Sequence, residues 1–93
     1  MVNKNILRIR KKLDSLDNKF LIIIKERTRL VQKILNNKKS KKDIIDNKRI
    51  KIILKNIKRK SINKKIDPKI TNTIWKSMIK AYIEFEFRNF KKK

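Results

Sequence analysis

Apolar residues recur along the first third of the chain at Ile6, Ile9, Leu13, Leu16, Phe20, Ile23, Leu30 and Ile34. Their spacing alternates three and four, the seam of one long packed helix, and predicts a helix from about Asn5 to Lys38. At ~1.5 Å per residue that helix is about 50 Å long. A chain of 93 residues cannot bury such a length by itself, so the helix asks for a partner. A polar connector, Lys39 to Lys42, follows. A second helix is predicted from about Ile44 to Ser61, with Ile50, Ile53, Leu54 and Ile57 on one face. Beyond a connector at Ile62 to Ile66, Asp67-Pro68 marks a helix start, with Asp as N-cap and Pro in the first turn. The third helix is predicted to reach about Phe90, with Ile70, Ile74, Met78, Ala81 and Phe85 inward. No strand-like alternation and no internal repeat interrupts the pattern. The expected fold class is all-α, one long helix plus two shorter ones, with residues 1–93 as a single domain.

Composition narrows the chemistry. There is no cysteine and no histidine, which removes disulfides, thiolate metal sites and the commonest general base. An enzyme built from this inventory works with Arg, Lys, Asp, Glu, hydroxyls and shape. The longest apolar run is Phe20 to Ile24, far short of the roughly 20 residues a membrane span needs. The N-terminus carries no secretory pattern, and the cytoplasm is the expected location. A net charge of +22 suggests a polyanionic partner. However, Lys, Ile and Asn supply 51 of the 93 residues, and these are residues of A/T-rich codons. A biased genome would produce the same lysine excess, and the lysines spread over the whole chain instead of gathering on one stripe. Codon bias is the preferred explanation, and non-specific polyanion binding remains open.

One position breaks the first seam. Arg27 stands where the alternation calls for an apolar residue. A charge there costs several kcal/mol unless paired. It is either a register-setting or salt-bridged residue or part of an anion site, and the first helix alone does not choose. Lys38 lies 11 residues on and near the same face, about 16 Å along the axis. Two long side chains can grip one small anion across that gap. Arg10 lies about 25 Å before Arg27 and reaches it only if two copies of the helix pack antiparallel. In the second helix Asp46 and Arg49 stand three residues apart. In the third, Tyr82 and Glu86 stand four apart among Met78, Ala81 and Phe85.

Together these residues resemble the all-α class of chorismate mutase. The first block is Leu7-x-x-Arg10-x-x-Leu13-Asp14-x-Leu16-Asp17, then Leu21, Glu26-Arg27-x-x-Leu30-Val31 and Lys38. The second is Ile45-Asp46-x-x-Arg49-x-x-x-Ile53-Leu54, and the third Ile66-Asp67-Pro68 leading to Ile74-Trp75-x-x-Met78-Ile79 and Glu86. The resemblance covers essentially the whole chain. It implies an intertwined antiparallel homodimer that rearranges chorismate to prephenate in aromatic amino-acid biosynthesis, without a cofactor or metal. It also implies that Arg27 and Arg49 clamp the substrate from one protomer and Arg10 from the other. Lys38 and Glu86 would flank the breaking ether oxygen, and Asp46 would contact the hydroxyl region. Ile50 and Tyr82 occupy substrate-facing positions but depart from the family pattern, which has a glutamate and a small hydroxyl residue there. The connector before Asp46 is one residue shorter than in the family.

Such a reaction suits a protein without His or Cys. An intramolecular pericyclic rearrangement needs a folded substrate conformation and fixed positive charge at the ether oxygen as it gains electrons. Three other readings compete: an isochorismate-pyruvate lyase of the same fold, a basic helical nucleic-acid-binding protein, and an inactive family member.

Overall fold

The computed structural model describes residues 3–91. Its elements are α1 (Lys4–Asn36), a 3₁₀ turn (Lys41–Asp43), α2 (Asn47–Asn63) and α3 (Pro68–Asn89). Among the described residues there is no strand, and no helix is long and apolar enough to cross a membrane. The chain divides into two compact units, Met1–Val31 and Gln32–Lys93.

The first unit is the N-terminal part of α1. Asn3 opens the helix, its Oδ1 accepting from the Asn5 amide at 2.7 Å. No glycine or proline follows, and the helix runs unbroken. Its seam residues Ile6, Ile9, Leu13, Leu16, Phe20 and Ile23 are all between 45 and 58 % exposed. The predicted heptad face is therefore present and uncovered within one chain.

The second unit holds the end of α1, the 3₁₀ turn and a hairpin of α2 against α3. α1 ends two residues earlier than the pattern predicts. The Asn37 and Lys38 amides bond to the Ile34 and Leu35 carbonyls, tightening the last turn, and Asn37 Nδ2 donates to the Lys33 carbonyl at 2.8 Å. α2 starts at Asn47, not Ile44. Two local acids decide this. Asp43 accepts from the Ser40 amide at 3.2 Å and closes the 3₁₀ turn, and Asp46 caps α2 by accepting from the Arg49 amide at 3.0 Å. The chain between them is thereby held out of the helix, and Ile44 is buried with Leu35, each 3 % exposed.

α2 buries the predicted face, with Ile50, Ile53, Leu54 and Ile57 half-buried. It overruns its predicted end to Asn63 and stops in a Schellman turn. The Ile66 amide bonds to the Ser61 carbonyl at 2.8 Å and Lys65 to Ile62 at 3.1 Å. Lys65 takes φ 58°, the left-handed conformation usually left to glycine, which this chain lacks. α3 starts as predicted: Asp67 accepts from the Lys69 amide at 2.9 Å, and Pro68 opens the first turn.

The inward face of α3 differs from the prediction. Ile70 is 56 % and Ile74 39 % exposed, and Ala81 is exposed as well. Thr71 and Glu86 are buried, with Trp75, Met78, Tyr82 and Phe85 half-buried between them. The helix is turned about one residue from the hydropathy reading because polar contacts hold both ends. Thr71 Oγ1 lies 2.7 Å from Ser61 Oγ in α2, and Glu86 binds Lys38.

The Lys65 conformation generates a stability prediction. Lys65→Gly removes the steric cost of a left-handed β-carbon, offset partly by a freer unfolded chain. The variant is expected to gain up to about 1 kcal/mol, roughly 4 °C in thermal midpoint. A lower midpoint would show that the lysine side chain contributes more than the turn costs.

Candidate active site

Lys38 and Glu86 form the centre of the candidate site. They are 48 residues apart, and the second unit brings Lys38 Nζ to 3.0 Å from Glu86 Oε1. Lys38 follows the tightened end of α1, and Glu86 lies in the last turn of α3. Glu86 is 6 % exposed, so its charge needs a partner inside the fold. Lys38 Nζ also lies 3.5 Å from the Ile44 carbonyl, which accepts from it. The ammonium is thus aimed by a carboxylate and by the carbonyl of buried Ile44, and one of its three donor directions remains for a further acceptor.

The other predicted residues divide between the units. In the second, Asp46 and Arg49 share the α2 N-terminus. Asp46 binds the Arg49 backbone amide, and the Arg49 side chain is exposed. That contact is a helix cap. Ile50, one residue on, is half-buried. Tyr82 is half-buried one turn before Glu86, with its ring edge-on to Phe85 at 6.3 Å between centroids. In the first unit, Arg10 and Arg27 are exposed. Neither forms an ion pair among the described residues. The neighbouring acid, Glu26, binds Arg29 instead, with Arg29 Nε 3.0 Å from Glu26 Oε2. The hydrogen bonds that Glu26 accepts from it, and then the charge of Glu26, raise the Arg29 guanidinium above its ordinary value.

Sequence reasoning missed the role of Ile44. Its side chain fills the small core and its carbonyl accepts from Lys38. The pattern Ser40-x-x-Asp43 was the available signal, since a hydroxyl followed three residues later by an acid is a capping box and so a break before α2. Among the described residues no group of three or more acids, histidines or cysteines could hold a metal ion. The chemistry available is cationic: an oriented ammonium beside a buried carboxyl, with the Arg49 guanidinium on the neighbouring helix.

No curated protein and no solved structure matches the chain. Residues 9–87 do match the family model described as chorismate mutase type II, a span that contains Arg10, Arg27, Lys38, Asp46, Arg49, Tyr82 and Glu86, and the chain belongs to that all-α family.

Proposed function

We propose that the protein, with residues 1–93 as one catalytic domain, converts chorismate to prephenate as an isologous homodimer whose two sites each draw on both copies. The observation that carries this reading is the Lys38–Glu86 pair at 3.0 Å. The family resemblance assigns these two residues to a single substrate atom, the ether oxygen. Two side chains so far apart in sequence have no local reason to meet.

In the proposed site Arg27 and Arg49 of one copy and Arg10 of the other hold the two substrate carboxylates. Guanidinium forks suit this because they bind planar anions through paired hydrogen bonds. Held at both ends, the enolpyruvyl side chain folds over the ring, and the entropy of reaching that conformation is lost on binding and not in the transition state. As the ether bond breaks, the oxygen gains negative charge. Lys38 donates to it from a preset position, and Glu86 flanks the same oxygen. Asp46 meets the ring hydroxyl, with Ile50 and Tyr82 lining the remainder.

Surface area supports the second copy. The seam residues of α1, together with Ile70 and Ile74 of α3, account for much of the exposed apolar side-chain surface. An antiparallel pairing of α1 with its mate would cover the seam and bring each Arg10 toward the partner's Arg27.

Purified protein is expected to form prephenate from chorismate. Release of pyruvate from isochorismate in its place would assign the lyase activity instead. Arg10→Ala and Arg27→Ala should each be inactive yet helical, with Arg27→Ala as stable as the parent or more so, because a seam charge is gone. Mixed and re-associated, the two variants should regain up to about a quarter of parental turnover, since a random mixture is half heterodimer and one of its two sites is intact. No recovery would place both arginines in one chain. Glu86→Gln places a neutral amide donor of nearly the same shape beside the ether oxygen, and kcat near pH 7 should equal or exceed that of the parent. A loss above tenfold would leave Lys38 as the only donor to the ether oxygen.

A further inference from the structure

The cations of α2 are arranged, although those of the chain as a whole are not. α2 carries Lys48, Arg49, Lys51, Lys55, Lys58, Arg59 and Lys60, and no acid. At 100° per residue, Lys48, Lys51, Lys55, Lys58 and Arg59 fall within an arc of about 100°, opposite the half-buried face of Ile50, Ile53, Leu54 and Ile57. All five are exposed, and none forms an ion pair among the described residues. Successive lysines from Lys48 to Lys58 climb the axis in steps of roughly 4.5–6 Å. The fold then widens the stripe. Lys55 and Lys58 border an open groove between α2 and the start of α3, with Lys69 and Asn72 on its far side, Leu54 and Pro68 also lining it, and no acid among the lining residues. A/T-rich codons account for the number of lysines. They do not account for three lysines from two helices meeting around one groove.

We infer that this face binds the sugar-phosphate backbone of a nucleic acid without regard to sequence. A row of unpaired ammonium groups matches a row of phosphates, and release of counterions drives the association. The arc has no aromatic residue on which a base could stack, so sequence preference is not expected. A lipid surface is less well matched. The arc carries one apolar residue, Ile62 at its C-terminal end, and offers no apolar wedge to enter a bilayer. None of the five cations of the arc belongs to the proposed catalytic site, so nucleic-acid binding and prephenate formation can fail independently.

The test uses fluorescence anisotropy with a labelled 20-nucleotide RNA of mixed sequence. The parent should bind, and bind a second, unrelated sequence equally. The variant K48Q/K51Q/K55Q/K58Q should bind at least about tenfold more weakly. Its slope of log affinity against log salt should fall by about 3, from ~0.7 per single-strand phosphate contact. The corresponding four-arginine variant should keep parental binding. A control that removes equal charge elsewhere, K11Q/K19Q/K76Q/K80Q, should lose less than about threefold. Circular dichroism and prephenate formation should be unchanged in every variant. Equal losses in the α2 variant and the control would show diffuse attraction to a +22 surface and overturn the proposal. So would absence of RNA binding, or stripe-dependent binding to phosphatidylserine vesicles at concentrations where RNA is not bound.

Discussion

The second unit depends on a buried carboxylate that has found its cation. Glu86 is nearly covered, and an ionised carboxyl in that setting costs several kcal/mol if left alone. Lys38 offsets that cost, and in doing so it ties the residues after α1 to the last turn of α3. The Ile44 carbonyl on the same ammonium joins the 3₁₀ segment to the pair. The interaction holds one end of α3 in its rotated orientation, as the Ser61–Thr71 contact holds the other, while Asp43 and Asp46 set the connector and the start of α2. A structural ion pair at the surface would not do this, because solvent screens it to a few tenths of a kcal/mol.

The same pair is a costly way to stabilise a hairpin. Apolar residues at both positions would fill the space without desolvating charge, and replacements of that kind are often neutral or stabilising. Only Leu35 and Ile44 are buried apolar residues among those described, so the unit has little hydrophobic stability to spare. A charged pair kept under those conditions fits a protein that needs an ammonium fixed beside a carboxyl at one point. Chorismate mutase chemistry has that need, since the reacting molecule supplies its own bonds and the protein supplies conformation and charge.

The uncovered face of α1 follows from the same economy. A three-helix chain this short encloses little volume, and surface scales against small domains. Apolar residues that a larger protein would bury internally lie on the outside of α1, where a second copy can cover them. In the proposed dimer folding, assembly and completion of the site become one event, because Arg10 reaches its ligand only from the partner. The lysine excess counts against this assembly through self-repulsion, and the apolar seam has to outweigh it.

Helix number, order and approximate ends were legible in the sequence because they are local. Heptad spacing sets α1, the absence of glycine keeps it unbroken, and Asp67-Pro68 starts α3 through an N-cap and a fixed φ. The candidate site residues stand out as types at family spacings, with Arg27 conspicuous as a charge in an apolar row. The orientation of α3 was not legible. Hydropathy ranks Ile70 and Ile74 above Thr71 and Glu86, and it carries no information that a hydroxyl 10 residues away and an ammonium 48 residues away will satisfy the two polar groups. Nor could composition separate a scattered lysine excess from cations of α2 and α3 gathered at one groove. Local propensity determined which residues are helical, and only tertiary contact, by pairing polar groups distant in sequence, decided which way those helices face.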